Sequence, residues 1–158
     1  LVERWYAPLF RQLQLDADAP DAPVQALRHA LLHLVDWLVA NRRFVGQLLL
    51  DAGAGERGAR QFLRSLDARH PSLLHALVLR AQAAGSLRRD DAWHQLMFLM
   101  STLAMPVLLF HLAGRRGMPA PDLLQTLAAL STDADAIRQR LDWALAGLSG
   151  PTDGGDAR

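Results

Sequence analysis

Two histidines and an aspartate recur on one face of a predicted helix near residue 33. His29, His33 and Asp36 are spaced i, i+4, i+7, so they project from the same side of a helix. Imidazoles at this spacing can share a metal ion, but a third ligand would have to come from another segment, and the sequence names no clear one. The same stripe can instead face solvent, or line an internal cavity and orient a ligand. The sequence leaves these alternatives open, and we assign no metal to it.

Other groupings that suggest chemistry lack the context that the chemistry needs. Gly53, Gly55 and Gly58 match G-x-G-x-x-G, but a dinucleotide site needs a strand before the motif and a βαβ unit around it. No second strand follows, so we interpret the motif as a loop. Ser72 lies near two histidines in sequence, and nothing else indicates that it is activated. The chain also has no Glu-x-x-His pair for a di-metal bundle. We therefore predict no enzyme activity and no cofactor.

Composition indicates one globular domain. The chain has 158 residues, 51% hydrophobic and 21% charged, with a formal net charge of +1 and no cysteine. This length allows a substantial core, and the near-neutral charge gives no broad basic surface for nucleic acid. The absence of cysteine fits a cytoplasmic protein. The sequence lacks an initiator Met and begins within a helical pattern, so we expect a preceding N-terminal segment.

Apolar periodicity predicts an all-α fold, since no pattern of period two appears anywhere. We predict one domain over residues 1–149 and a disordered tail over 150–158. The predicted helices cover residues 1–15 with Pro8 inside, 23–41, 42–51, 56–70, 71–85, 91–114, 121–130 and 134–148. We expect a turn over residues 16–20 and a helix end at Gly85. We also expect Asp90 or Asp91 to cap the long apolar helix, and Thr132 or Asp133 to cap the last helix.

The stretch from Trp93 to His111 is apolar all the way round its helical wheel. Such a helix must be covered on every side, and a small domain covers only one side with its own core. Only about 15 residues separate Gln95 from His111, short of the ~20 that span a bilayer, and no signal-peptide pattern is present. We therefore predict no membrane contact, and we expect the second cover to be a ligand or another copy of the chain.

Three segments resemble tetracycline-repressor-type transcriptional regulators, and the resemblance extends over essentially the whole chain. Residues 83–96 (AAGSLRRDDAWHQL) resemble the junction before that family's first dimerisation helix. Residues 141–148 (LDWALAGL) are similar to the last helix, and the start, LVERW, is similar to the helix that follows the DNA-binding head. That head would precede Leu1, so operator DNA would be contacted only through a segment outside this sequence.

The resemblance implies a regulatory domain that dimerises through its last two long helices and binds an effector in a cavity. Two copies of the helix pair would form a four-helix bundle with isologous geometry. The predicted helix 121–130 departs from the family pattern, and would cap the pocket or extend the interface. The expected interface residues are Trp93, Ser101, Ala104, Leu108, His111, Ile137, Leu141, Ala144 and Leu145.

The resulting hypothesis is the ligand-sensing, homodimeric domain of a transcriptional repressor, in which a small apolar effector changes the separation of the DNA-binding heads. The alternative is a helical protein–protein interaction domain without a small ligand. Composition and the resemblance together suggest these ligand-binding residues: Trp5, Tyr6, His33, Trp37, Phe62, Leu74, Met97 and Met100.

Overall fold

The computed structural model describes residues 2–66, 69–115 and 122–150, and this part of the chain is helical without strands. The prediction of an all-α fold is therefore confirmed. The helices are α1 (Val2–Asp18), α2 (Pro23–Ala54), α3 (Arg57–Ser65), α4 (His70–Ala83), α5 (Ala92–Arg115), α6 (Asp122–Thr132) and α7 (Ala134–Leu148). The predicted tail, apart from Gly150, lies outside the described residues.

The two predicted helices on either side of Asn41 are one helix, α2, with a kink at that residue. Asn41 has φ −109° and ψ 15°, outside the helical range. Its side-chain amide donates a hydrogen bond to the Trp37 carbonyl oxygen at 2.8 Å. Polar side chains that bond to the preceding turn compete with the helix's own hydrogen bonds and bend it. The sequence predicted a helix boundary at this residue, and two helical segments meet there at a kink.

The G-x-G-x-x-G segment is the junction between two helices. Gly53 lies inside α2, Gly58 lies inside α3, and Gly55 ends α2 with φ +98°. The left-handed conformation suits glycine because it lacks a Cβ. No strand precedes the segment in the described chain, so the requirement for a dinucleotide site is not met.

Side chains cap the helices where the sequence predicts caps. The Asp91 carboxylate accepts a hydrogen bond from the backbone N–H of His94 at 2.8 Å, and Asp133 accepts one from Ala136 at 2.8 Å. Each satisfies a backbone N–H that has no partner within its own helix. Gly85, with φ +80°, follows the end of α4, as its position predicted.

The core lies where α5 packs against α2, α4 and α7. Leu99, Leu103 and Val107 of α5 are fully buried. The end of α7 lies beside the start of α5, because the backbone N–H of Arg88 donates to the Leu148 carbonyl oxygen at 2.9 Å. Helices α5 and α7 are thus antiparallel neighbours, with α6 packed against both.

Candidate functional site

Three of the predicted ligand-binding residues lie together in an aromatic cluster on α1, α2 and α3. Tyr6 is at its centre and is buried, with Trp37 and Phe62 at ring-centroid distances of 6.4 and 5.8 Å. Phe10 stacks on the same ring at 6.1 Å. Edge-to-face and stacked geometries at these distances are those of packed aromatic side chains. We call Tyr6, Phe10, Trp37 and Phe62 the aromatic cluster.

The remaining predicted ligand residues differ in their relation to this cluster. Trp5 is 53% exposed and Met97 is 59% exposed, whereas Leu74 is buried in the main core. Met100 is half-buried and contacts both groups of buried side chains. His33 lies one turn before Trp37 on α2 and pairs with Asp16 of α1. Ring contacts therefore bring together Tyr6, Trp37 and Phe62. Leu74 and Met100 belong to the same core, and the Trp5 carbonyl oxygen accepts a hydrogen bond from Trp37 Nε1 at 3.3 Å.

A buried histidine is bound to the centre of the aromatic cluster. The Tyr6 hydroxyl lies 2.7 Å from His70 Nδ1 and accepts the backbone N–H of His70 at 3.2 Å. Burial lowers the pKa of the His70 imidazole to about 4, so His70 is neutral at pH 7 and Nδ1 can accept the hydroxyl proton. Burial likewise raises the pKa of Tyr6. The pair ties α1 to the start of α4.

Further polar contacts hold both ends of α1. Arg69 forms a two-pronged ion pair with Glu3, with both N–O distances 2.8 Å. At the other end, the Asp16 carboxylate lies 2.6 Å from His33 Nδ1. Arg80 donates to the Ala17 carbonyl oxygen at 2.8 Å. The start of α1 is thus bound to the start of α4, and the end of α1 is bound to both α2 and α4.

The two histidines of the α2 stripe each lie beside a carboxylate. His33 pairs with Asp16 and His29 lies 3.6 Å from Asp21, while Asp36 is exposed. Within the described residues no three histidine, aspartate or glutamate side chains are grouped closely enough to hold a metal ion. Asp16, which sequence reasoning placed in a turn, is instead the partner of His33, because α1 extends through Asp18.

One face of α5 is apolar and exposed. We define the exposed α5 face as Trp93, Met97, Phe98, Ser101, Met105 and Leu109. Its five apolar members are 44–60% exposed. Trp93 also stacks on His75 of α4 at 4.0 Å. Contiguous apolar surface of this kind usually marks an interaction site.

The predicted interface residues divide between the surface and the core. Trp93 and Ser101 lie on the exposed α5 face, but Ala104 is buried against Leu38 of α2, and Leu108 packs on the same group. His111 packs against α2 at Gly46. On α7, Leu145 packs against the core. Three further predicted residues of this helix are at most 3% exposed, namely Ile137, Leu141 and Ala144. Buried side chains cannot contact a partner in this conformation, so we reassign the candidate interface to exposed neighbours.

Exposed apolar residues on α6 and α7 were missing from the predicted interface. Trp143 is 65% exposed. It precedes Gly147 by one turn on the same side of α7, and Gly147 lines a small cavity together with Phe98. Trp143 therefore lies one turn from the α7 residue that approaches Phe98 of the exposed α5 face. On α6, three leucines are also exposed: Leu123, Leu127 and Leu130.

Helix α5 meets the length and composition of a membrane span. Within the 23 residues Ala92–Gly114, an 18-residue window has a mean hydropathy of 2.0, and 28% of that window is buried. The prediction that this apolar helix is too short to span a bilayer is wrong, because α5 continues beyond Gln95 and His111. Insertion would, however, remove Leu99, Leu103 and Val107 from the core that they share with other helices.

A cavity of about 680 Å³ opens between the kinked part of α2 and the end of α5. We call it the arginine pocket. Its lining residues are Arg42, Arg43, Gln47, Phe110, His111 and Gly114. Sequence reasoning did not identify it, although the adjacent arginines next to Asn41 were a visible signal. A neighbouring cavity of about 430 Å³ shares Gln47 but contains Asp51 and Glu56.

Comparison with protein-family models, curated protein sequences and solved structures finds no match to this chain.

Proposed function

We propose that residues 1–149 form the effector-binding and dimerisation domain of a tetracycline-repressor-type transcriptional regulator. The resemblance of residues 83–96 and 141–148 suggests the class. The observation that carries the proposal is the exposed α5 face, which leaves one side of the most apolar helix without cover in the single chain.

A second copy of the chain suits this face better than a charged partner. The sequence from Ala92 to Leu112 contains no aspartate, glutamate, lysine or arginine. A surface without charge can meet an identical surface without like-charge repulsion, as an isologous two-fold interface requires. With Trp143 beside it, the α5–α7 pair supplies half of a four-helix bundle.

The contacts of α1 suggest how an effector would act at a distance. By resemblance, α1 follows the DNA-binding head. Its two ends are fixed to α4 through Tyr6 and Glu3 and to α2 through Asp16. A ligand that favours one arrangement of these helices would therefore move α1. Coupling of ~1–3 kcal/mol is typical of such two-state systems.

The alternative is a helical protein–protein interaction domain without a small ligand. The packing of Tyr6, Trp37 and Phe62 ring against ring favours it, because these residues fill space where a ligand had been expected. Both functions use the exposed α5 face, and they differ only in whether an effector is bound.

The test of the proposal is the mass of the protein in solution at micromolar concentration, by light scattering. We expect a dimer for the wild type and a monomer for Met105→Glu, because two glutamates brought together at a two-fold interface cost several kcal/mol.

Leu15→Glu is the matched control. Leu15 is 65% exposed but lies on α1, so the variant should remain a dimer. A monomeric wild type, or a Met105→Glu variant that remains a dimer, would contradict the proposal. Circular dichroism of each variant shows whether the fold is retained.

A further inference from the structure

We propose that the arginine pocket binds a small carboxylate with an apolar, preferably aromatic, body, and that this is the effector of the domain. The regulatory role of this ligand rests on the proposed function, whereas the existence of the binding site does not depend on it. It replaces the purely apolar effector expected from the sequence, and it moves the site from the aromatic cluster to the junction of α2 and α5.

The pocket is open to solvent and of a suitable size. Its volume of about 680 Å³ falls within the ~300–1,000 Å³ that ligand sites occupy. The kink at Asn41 alters the direction of α2 immediately before Arg42 and Arg43. One turn further along, Gly46 lets α5 approach closely, because a Cβ at that position would lie 3.1 Å from His111 Cδ2. The two helices thus touch at Gly46 and separate beside the arginines.

The charge of the pocket selects an anion. Neither described segment that lines it contains an aspartate or glutamate, since residues 37–50 and 92–114 have none. Within the part of the chain that the structure describes, no carboxylate lies within ion-pair distance of Arg42 or Arg43. Arg42 donates to the Val39 carbonyl oxygen of its own helix, which uses one of five N–H donors. Both guanidinium groups can therefore bind a carboxylate.

The neighbouring cavity provides an internal comparison. It shares Gln47 with the arginine pocket but is lined by Asp51 and Glu56. The Asp51 carboxylate accepts a hydrogen bond from the Gln47 amide at 2.6 Å, which holds Asp51 on that side. An anion is thus attracted to one cavity and repelled by the other.

The apolar part of the ligand is indicated by Phe110. Its ring is half-buried and forms a wall of the pocket opposite α2. An aromatic ring can stack on Phe110 or on an arginine guanidinium plane. A carboxylate with an aromatic body can therefore pair with the arginines and also stack on Phe110, whereas inorganic phosphate can only pair with the arginines.

The experiment is isothermal titration of the whole chain with phenylbutyrate and with phenylbutanol, which has the same body without the charge. We expect saturable binding of the acid and at least tenfold weaker binding of the alcohol. Arg42→Gln and Arg43→Gln should each weaken acid binding about two- to fivefold, the range for a partly exposed ion pair. The double variant should lose about tenfold, and binding of the alcohol should not change.

Arg89→Gln is the matched control. Arg89 is exposed and precedes α5 at its opposite end, roughly 30 Å away for a helix of this length, so acid binding should equal that of the wild type. Equal affinity for acid and alcohol, an equal loss in Arg89→Gln, or no saturable binding of the acid would overturn the inference. Light scattering of the same samples distinguishes failure of this inference from failure of the proposed function. A monomer that binds the acid would support the anion site and contradict dimerisation.

A lipid surface also presents anions next to apolar groups. Sedimentation with phosphatidylglycerol and phosphatidylcholine vesicles distinguishes this source. Binding only to phosphatidylglycerol, lost in the Arg42→Gln, Arg43→Gln double variant, would overturn a dissolved ligand in favour of a membrane surface. Absence of vesicle binding together with acid binding supports the inference.

Discussion

At the scale of single residues, the Tyr6 hydroxyl holds two groups of one histidine at once. It accepts the backbone N–H of His70 and donates to Nδ1 of the same residue. The second bond requires an unprotonated Nδ1. Protonation of His70 would put a hydrogen on Nδ1, so this hydrogen bond could not keep its direction, and it would leave a buried cation.

The stability of the fold should consequently fall in mild acid. The pKa of His70 is lowered to about 4 in the folded chain, from an ordinary value of 6.5. Between these two pH values the unfolded chain binds a proton that the folded chain does not, so the free energy of unfolding decreases as pH falls. From pH 7 to pH 5 we expect this group to contribute a loss of about 2 kcal/mol, measured by urea unfolding.

Replacement of the imidazole isolates that contribution. The free energy of unfolding of the wild type should be lower at pH 5 than at pH 7, and His70→Gln should reduce this difference by about 2 kcal/mol. His29→Gln, at a half-exposed site, should leave most of the difference unchanged. An identical pH dependence in the wild type and His70→Gln would contradict the assignment.

The sequence indicated which aromatic residues are important, but it did not identify the side chains to which Tyr6 and His33 are hydrogen-bonded. Tyr6, Trp37 and Phe62 were grouped, since large aromatic side chains of a small domain tend to be buried together. The pairing of Tyr6 with His70 spans 64 positions, and that of His33 with Asp16 depends on the end of α1. Both depend on the relative positions of two helices along their axes, which periodicity does not determine.

At the scale of elements, the contact between α2 and α5 depends on Gly46. Ideal Cβ placement there lies 3.1 Å from the His111 ring and 3.3 Å from Leu112, tighter than normal packing. Gly46→Val should therefore destabilise the fold by about 1–3 kcal/mol through overpacking, as measured by urea unfolding.

Gly53 offers the control in the same helix. Nothing lies within 4 Å of a Cβ at Gly53, so Gly53→Val should be neutral or slightly stabilising, by up to about 0.5 kcal/mol, from helix propensity alone. Equal effects of the two substitutions would show that the approach of α5 to α2 is not as close as described.

The helices and their caps were largely predictable, because caps, prolines and glycines act locally. Asp91, Asp133 and Gly85 end or begin helices as expected. The continuity of α2 through Asn41 was not predictable, since an asparagine within a helix and one between two helices give similar patterns. The arginine pocket was missed for the same reason, as it arises from the kink.

At the scale of the whole molecule, the apolar stretch from Trp93 to His111 has one side in the core and the other exposed. The sequence predicted that this helix needs two covers, and the structure of one chain shows the first. Which α7 residues remain exposed depended on how α7 rotates against α5, and the prediction selected Ile137 and Leu141, which lie in the core.

The central claim is that the exposed α5 face meets the same face of a second copy. The chain contains no cysteine, so a single introduced thiol reports on one position. Ser101 lies at the middle of this face, and residues near a two-fold axis approach their own copies. Thiols form a disulfide when their Cα atoms are about 5.5–6 Å apart.

The most direct test is mild oxidation of Ser101→Cys, Met105→Cys and Arg11→Cys, followed by non-reducing electrophoresis. Arg11 is exposed on α1 and serves as the control. We predict a covalent dimer from Ser101→Cys or Met105→Cys and little from Arg11→Cys. No covalent dimer at either α5 position, or the same yield at Arg11, would contradict dimerisation through this face.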